Sequence, residues 1–294
     1  MFEDLTLAFI GGGNMGEAMI HGLIKKNMVD PQQIIASEPR TERGEELAER
    51  YGVRFTTDNV EATTEADLLV LAVKPQVLED VLPEIRSGAR NCSLVLSIVA
   101  GVPIRAIADG LANPYVVRAM PNTPARIGQG ISVWAATPEV PEDQRKLAQA
   151  LLQALGQEIY VRDEDYLNMA TALSGTGPAY VFLFMEAMID AGVHMGFSRY
   201  VAEQLVIQTM RGSVEYAAAS GEHPAVLRNQ VTSPGGTSAE AIYHLEKGNL
   251  RTVVARAIWA AYQRSVGLGG GRKVSRLAGR HPDQNGDDEG DESD

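Results

Sequence analysis

A glycine-rich turn near the N-terminus constrains the fold more than any other feature of this sequence. Gly11, Gly13 and Gly16 have the spacing G-x-G-x-x-G, directly after the apolar run 5–10 and directly before an amphipathic segment at 15–26. In a βαβ unit, the first glycine permits a tight turn, the second lets the backbone approach a pyrophosphate, and the third allows close packing of the helix. The helix N-terminus favours the phosphate charge. The motif therefore predicts a dinucleotide site, and a merely structural turn is the alternative.

The first half of the chain alternates short apolar runs with amphipathic stretches, which is typical of a parallel sheet covered by helices on both faces. We expect strands at 5–10, 33–36, 53–56, 68–73, 94–99, 115–119, 131–135 and 158–161. After about Asp163 the strand pattern stops, and helices are expected at 178–193, 198–219 and 250–268. The predicted fold is an α/β Rossmann-like, doubly wound N-terminal domain (1–163) followed by an all-α C-terminal domain (164–280).

Composition limits the possible partners. The chain of 294 residues has a formal net charge of −12, and seven of its acidic residues lie in the tail 281–294, which we expect to be disordered. This balance argues against a nucleic-acid partner, because such binding needs clustered Lys and Arg. The single cysteine, Cys92, and five histidines without ligand spacing predict no metal site. An acidic N-terminus and interrupted apolar runs predict a cytoplasmic protein without a membrane partner.

The end of the second strand bears on the choice between the two nicotinamide coenzymes. If Ser37 occupies the discriminating position, its hydroxyl and the Arg40 guanidinium could hold the 2′-phosphate of NADPH. Glu38 instead favours NADH, because a carboxylate there binds the ribose 2′-hydroxyl. We expect NADPH, with NADH possible. The alternative interpretation of Arg40 is a solvated charge at the start of a helix.

Three further motifs resemble the pyrroline-5-carboxylate reductase family: 72–76 (AVKPQ), 174–180 (SGTGPAY) and 233–238 (SPGGTS). The resemblance extends over roughly residues 5 to 268. Members of this family reduce the cyclic imine 1-pyrroline-5-carboxylate to L-proline with NADPH or NADH, the last step of proline biosynthesis. The resemblance implies that the following residues bind the cofactor: Gly11, Gly13, Asn14, Met15, Gly16, Ser37, Asn59, Ala72, Val73, Lys74, Pro75, Ala100 and Gly101.

The resemblance also implies a substrate loop. Gly235, Gly236 and Thr237 would bind the substrate carboxylate through backbone N–H groups, before a helix that opens near Ala239. Family members usually have a threonine at the last loop position, and its hydroxyl bonds the ring nitrogen. Here that position is Ser238, which keeps the hydroxyl and loses the methyl group that restricts χ1. The implied catalytic residue is therefore Ser238, and a plain helix N-cap is the alternative.

The resemblance implies a homodimer, or a larger homo-oligomer built from dimers, formed through interleaved C-terminal helices. The apolar run 178–193 supports this expectation, because one small helical domain cannot hide so much apolar surface. Two alternative functions stay open. One is an NADP-dependent imine or 3-hydroxyacid oxidoreductase of related architecture, although the helical half offers no lysine base before Lys247. The other is a non-catalytic dinucleotide-sensing protein.

Overall fold

A computed structural model describes residues 2–268, and the predicted acidic tail lies outside these residues. The N-terminal half forms one eight-stranded sheet in the order β3-β2-β1-β4-β5-β6-β7-β8. All eight predicted strands are present. Their bounds are β1 Leu7–Ile10, β2 Ile34–Ser37, β3 Arg54–Thr56, β4 Leu68–Leu71, β5 Leu94–Ser97, β6 Val116–Met120, β7 Gly130–Ala136 and β8 Gly156–Tyr160.

Neighbouring strands are parallel except for β6 and β7, which are antiparallel. The exception follows from the length of the connection. Only nine residues separate Met120 from Gly130, and a parallel crossover needs a dozen or more. This short connection contains the 3-10 helix Thr123–Ile127. The expected doubly wound fold is confirmed, with one antiparallel pair inside a mainly parallel sheet.

Six helices cover the sheet, with one apolar cluster on each face. Met19, Ile20 and Leu23 of α1 and Leu151 of α6 pack on one face, whereas Leu78 of α4 belongs to the cluster on the other face. This two-sided burial explains why the strands are almost continuously apolar. The helices are α1 Asn14–Lys25, α2 Thr41–Tyr51, α3 Asn59–Thr64, α4 Pro75–Ala89, α5 Ile104–Leu111 and α6 Glu142–Gln153.

The described part of the C-terminal half is helical, as predicted. Ser198 caps α9 by accepting the Val201 N–H, at 3.3 Å, and Pro178 lies in the first turn of α8. The helix expected to open near Ala239 begins two residues earlier, because Gly236 is in the extended conformation of an N-cap. The helices are α7 Tyr166–Ala170, α8 Gly177–His194, α9 Arg199–Ser220, α10 Pro224–Gln230, α11 Thr237–Lys247 and α12 Leu250–Leu268, with a π-helical turn at Thr171–Gly175.

The helical half leaves large apolar side chains uncovered within one protomer. Phe182 and Leu183 of α8 are 61% and 67% exposed, and Val214 of α9 and Trp259 of α12 are also exposed. The helical run Tyr166–His194 is long and apolar enough to span a membrane by length and composition alone. Only 6% of its most apolar window is buried inside the protomer. Another surface must therefore cover this run.

A buried ion pair joins the sheet to the first turn of the helical half. The Arg118 side chain, in the middle of β6, is only 4% exposed and bonds the carboxylate of Glu164. The same carboxylate oxygen accepts the Ile104 N–H at the start of α5, at 2.8 Å. Glu164 thus connects β6, α5 and the segment that leads into α7. The second terminal nitrogen of Arg118 is buried without a hydrogen-bond partner among the described residues.

Glu164→Ala should destabilise the protein by about 3 kcal/mol, because it leaves the buried Arg118 charge unpaired. Asp109→Ala is the matched control, since it removes the carboxylate of the exposed i,i+4 pair that Arg105 makes on α5. That change should cost less than about 0.5 kcal/mol. Urea unfolding at one fixed protein concentration measures both effects. If the two variants lost the same free energy of unfolding, Glu164 would not stabilise the contact between the sheet and the helical half.

Candidate dinucleotide and substrate site

The glycine-rich turn is shaped by two contacts that leave no room for a side chain. Gly11 has φ +106°, and a Cβ built on it would lie 2.8 Å from the carbonyl oxygen of Ala72. A Cβ on Gly16 would lie 2.5 Å from the carbonyl oxygen of Gly11. These two glycines let the β1–α1 turn approach the chain that leaves β4. The contact lies where the sheet order reverses, which is where doubly wound sheets bind ligands.

The middle glycine of the motif has a different environment. A Cβ on Gly13 would meet no atom within 4 Å, so the protein itself does not require glycine there. Gly13 is the N-cap residue of α1, and no side chain caps this helix end. The N–H groups of Asn14, Met15 and Gly16 therefore have no acceptor among the described residues. An open backbone surface at an uncapped helix N-terminus fits a diphosphate, as the motif predicted.

The other predicted cofactor residues of the sheet domain lie at the carboxyl ends of neighbouring strands. Ala72 and Val73 follow β4, and Lys74 and Pro75 begin α4. Ala100 and Gly101 follow β5, where Gly101 has φ +78°. Since β1, β4 and β5 are neighbours, these loops lie side by side at the carboxyl ends of the strands. The sheet thus brings together the segments 11–16, 72–75 and 100–101, which are far apart in sequence.

The end of β2 differs from the expectation for Ser37. Ser37 is 1% exposed, and its hydroxyl lies 2.7 Å from the Asn59 Oδ1 atom. The Asn59 amide nitrogen donates to Glu84, at 3.0 Å, and a carboxylate only accepts. The amide orientation is therefore fixed, and Ser37 must be the donor to Oδ1. In this arrangement Ser37 has no hydroxyl hydrogen left for a phosphate group.

Two side chains hold the turn through contacts that the sequence does not indicate. The Glu38 carboxylate is buried and accepts the Gly12 N–H at 3.0 Å. The Arg43 Nε atom donates to the Gly12 carbonyl oxygen, also at 3.0 Å. Both polar groups of the turn residue Gly12 are therefore bonded by side chains of the β2–α2 segment. Arg43 gave no signal in the sequence, because its contact depends on how α2 packs against α1.

Arg43 is fixed in turn by the buried Glu17 of α1. Glu17 accepts from Arg43, from Arg50 at 2.8 Å and from the Tyr51 hydroxyl at 2.8 Å. Burial raises the pKa of Glu17, but the hydrogen bonds from Arg43 and Tyr51 outweigh that effect and lower it. The carboxylate is therefore ionised at neutral pH. This network couples the position of the glycine-rich turn to the packing of α1 on α2.

The predicted substrate loop forms a tight turn that ends in an uncapped helix. Gly235 has φ +70°, and the Gly236 N–H donates to the Ser233 carbonyl oxygen at 3.0 Å. Gly236 is the N-cap of α11 without a side-chain hydrogen bond, so Thr237 and Ser238 occupy the first turn. Thr237 is exposed and Ser238 is half-buried. Helix α11 packs against α12, and no described hydrogen bond joins this loop to the sheet.

Residues 2–268 support neither a metal site nor a cysteine nucleophile. No cluster of three or more His, Cys, Asp or Glu side chains is arranged to hold a metal ion there. Cys92 is buried, and burial, assisted by the charge of Asp67, raises its pKa to about 12. Its thiol is therefore protonated at neutral pH and is a poor nucleophile.

Comparisons with known proteins cover both halves of the chain. Residues 164–268 match the family described as pyrroline-5-carboxylate reductase dimerisation, and residues 6–101 match the family described as NADP oxidoreductase coenzyme F420-dependent. A pyrroline-5-carboxylate reductase of Synechocystis is 43% identical over 90% of this chain and 99% of its own length.

Solved structures agree with that match. A pyrroline-5-carboxylate reductase from Coxiella burnetii superposes with a TM-score of 0.82 at 38% identity, over 90% of this chain and 98% of that one. The Plasmodium falciparum pyrroline carboxylate reductase, solved with NADP bound, has a TM-score of 0.84 at 32% identity. That superposition covers 91% of this chain and 99% of the other.

The environments of Gly13 and Gly11 predict that alanine at the first position weakens ligand binding, whereas alanine at the second lowers stability. Gly13→Ala should leave the melting temperature within about 2 °C of wild type and weaken dinucleotide binding at least tenfold, because its methyl group enters the open face. Gly11→Ala should lower the melting temperature by several degrees, because the methyl group meets the Ala72 carbonyl. Thermal unfolding and calorimetric titration with the dinucleotide separate the two effects. Unchanged affinity in Gly13→Ala would contradict the assignment of this face.

Proposed function

This chain belongs to the pyrroline-5-carboxylate reductase family, and we propose that it reduces 1-pyrroline-5-carboxylate to L-proline with a nicotinamide coenzyme. The observation that carries the proposal is that one chain contains both a candidate dinucleotide site and a candidate substrate loop. The sheet domain presents an open glycine-rich turn, and the helical domain presents the Ser233–Ser238 loop at an uncapped helix start. The reaction is the last step of proline biosynthesis.

The coenzyme is NADPH, and NADH is also possible. When bound, it supplies the hydride that reduces the C=N bond. The open face of Gly13 and the first turn of α1, with Asn14, Met15 and Gly16, would hold the diphosphate. Ser37, Arg40 and Asn59 would lie beside the adenosine ribose. The loops Ala72–Pro75 and Ala100–Gly101 would line the rest of the dinucleotide along the sheet edge.

The substrate carboxylate would bind at the start of α11. The backbone N–H groups of Gly235 and Thr237 have no acceptor among the described residues and lie at or near a helix N-terminus that no side chain caps, whereas the Gly236 N–H is already bonded to the Ser233 carbonyl oxygen. Such an end carries a partial positive charge, so an anion is stabilised there. Fixing the carboxylate also fixes the orientation of the imine ring, and positioning of this kind lowers the barrier by several kcal/mol.

Ser238 is the proposed catalytic residue, because its hydroxyl lies one residue beyond that anion site. A hydroxyl that donates to the ring nitrogen draws electrons from the C=N bond, which makes the carbon a better hydride acceptor. A strong base is not needed, since the reaction adds a proton to nitrogen and removes none from the substrate. Serine supplies the same donor as threonine, with a less restricted χ1 angle.

Steady-state kinetics with 1-pyrroline-5-carboxylate and each coenzyme test the function directly. We expect coenzyme oxidation at 340 nm that depends on the imine, with L-proline as the product. The alternatives, another imine or 3-hydroxyacid oxidoreductase or a non-catalytic sensor, are not favoured, because relatives that cover about nine-tenths of the chain are named pyrroline-5-carboxylate reductase. Reduction of the oxidised coenzyme by a 3-hydroxyacid, with no oxidation of either reduced coenzyme by the imine, would overturn the proposal.

The dimerisation family at 164–268 supports a homo-oligomer. We assign the exposed apolar surface of α8, α9 and α12 to a second copy of the chain, as a homodimer or a larger assembly of dimers. A partner subunit rather than a lipid bilayer would then cover the run Tyr166–His194. Domain limits of 1–163 and 164–280, a cytoplasmic location and the lack of nucleic-acid and membrane partners are part of this proposal.

Ser238→Ala should lower kcat at least 100-fold and leave the Kd of the coenzyme within about twofold, because the hydroxyl meets only the imine. Ser238→Thr should retain at least half of the wild-type kcat. Thr237→Val is the neighbouring control, since it changes an exposed side chain and keeps the backbone N–H that would bind the carboxylate. If kcat/KM of Ser238→Ala stayed within about twofold of wild type, a difference under about 0.5 kcal/mol, Ser238 would have no catalytic role.

Phe184→Asp should abolish the soluble oligomer. Phe184 lies in the middle of α8 and is 40% exposed in the protomer, so in the proposed assembly the carboxylate would be buried without a partner. Val77→Asp on α4 serves as the control, because Val77 is also an exposed apolar side chain but lies on the sheet domain, and this change should leave the assembly intact. Light scattering measures the mass of each variant. A wild-type monomer that is active at micromolar concentration would contradict the assembly.

A further inference from the structure

A polar link at the carboxyl end of β6 joins the sheet to the π-helical turn between α7 and α8. Asn122 follows β6 by two residues, and its amide nitrogen donates to the Ser174 carbonyl oxygen at 3.2 Å. Its amide oxygen accepts the Ile131 N–H of β7 at 3.0 Å. Asn122 is the N-cap residue of the 3-10 helix Thr123–Ile127, where an asparagine usually caps its own helix, yet its side chain makes no such bond. Both ends of the amide instead bond segments outside that helix.

This link is the second one between the sheet and the start of the helical half. Glu164 bonds the start of α5 just before α7, and Ser174 is bonded just after it. Between them, Leu167 of α7 is fully buried in the apolar cluster on one face of the sheet. A Cβ on Gly175 would lie 3.1 Å from the Met120 Cε atom, so the π-helical turn also packs closely on the last residue of β6. Contacts before, within and after α7 thus fix the π-helical turn relative to this strand end.

The strand order indicates which part of a bound dinucleotide would lie here. From β2 the sheet continues through β1, β4 and β5 to β6. The proposed site places the adenosine ribose at β2 and the diphosphate at β1, so the nicotinamide half would extend along the other strands toward β6. Ser97 of β5 pairs with Arg118 of β6, so the segments that follow these strands leave the sheet at neighbouring positions. Asn122 is therefore at the strand end next to the loop Ala100–Gly101, and π-helical turns are frequent at functional sites.

We propose that the π-helical turn Thr171–Gly175 is the end wall of the coenzyme cleft, and that Asn122 is a positioning residue that holds this wall against the nicotinamide ring. Asn122 acts through the backbone of Ser174 and does not touch the reacting atoms. Hydride transfer depends steeply on the orientation of the ring, since a misplacement of about 1 Å can lower a rate about 100-fold. This inference rests on the proposed function only in taking the ligand to be a nicotinamide dinucleotide.

Calorimetric binding of NADPH and of 2′-phospho-ADP-ribose, a fragment that lacks the nicotinamide ring, tests the wall without turnover. In wild type, NADPH should bind at least tenfold more tightly than the fragment. Asn122→Ala should reduce this ratio of affinities at least fivefold and leave the Kd of the fragment within twofold, because only the contact with the ring is loosened. In steady-state kinetics with the imine, kcat should fall at least tenfold.

A second variant isolates the bond to the helical half. Asn122→Asp keeps an acceptor for the Ile131 N–H and removes the donor to the Ser174 carbonyl oxygen. It should reduce the ratio of affinities as much as Asn122→Ala. The two ligands carry the same phosphates, so the effect of the added charge cancels in that ratio.

Asn113→Ala is the matched control, because Asn113 makes the same kind of bonds at the amino end of β6. Its amide nitrogen donates to two carbonyl oxygens and its amide oxygen accepts the Tyr115 N–H, all at 2.8 Å. This variant should lower the melting temperature and leave the ratio of affinities within twofold of wild type. If it does not fold, Thr137→Val takes its place, since it removes a hydroxyl that bonds the Pro114 carbonyl oxygen at the same end of the strand.

Three results would overturn the inference. They are equal affinities of wild type for the two ligands, a ratio in Asn122→Ala within twofold of wild type, and a ratio that the control at the amino end of β6 reduces as much as Asn122→Ala does. Failure of the proposed reaction has a different signature, namely no oxidation of NADPH by the imine in wild type while the binding ratios persist.

Discussion

The close approach of the β1–α1 turn to the chain leaving β4 is the contact on which the sheet domain and its proposed coenzyme site both depend. Gly11 can lie against the Ala72 carbonyl only because it lacks a Cβ, and Gly16 lies against Gly11 for the same reason. The contact sets where α1 begins, and thereby aims the first-turn N–H groups. It also fixes the distance between the β1 and β4 loops. The packing of the backbone at these glycines thus determines the position of the N–H groups that would bind the diphosphate.

The sheet could be predicted from the sequence because its signals are local. Each strand is a short apolar run, and the glycine spacing marks the first βα turn, so all eight strands and the doubly wound order of the fold were expected. The apolar pattern does not show that β6 and β7 are antiparallel, which follows instead from the nine residues between Met120 and Gly130. The strand ends differ from the expected bounds by at most two residues, because fraying and tertiary contacts decide them.

The side chains around the turn could not be predicted in the same way. Arg43 and Glu17 lie on different helices, and nothing in their spacing indicates that they meet. Ser37 was expected to face a phosphate, but the packing of α3 puts Asn59 beside it and directs its hydroxyl inward. Sequence patterns identify which strand end binds a ligand. Which side chains at that strand end keep free hydrogen-bonding groups depends on contacts between elements far apart in the chain.

The two halves of the chain meet different physical requirements, and Glu164 lies where they join. The sheet domain buries its apolar residues within the protomer, whereas the helices after Glu164 leave many of theirs exposed. Because the Glu164 carboxylate bonds both Arg118 and the start of α5, the chain entering α7 is fixed to the sheet by polar contacts. Polar contacts specify direction better than apolar ones, since they require particular atoms to meet. The contacts of Glu164 therefore set the direction in which the chain leaves the sheet domain and enters the exposed apolar helices.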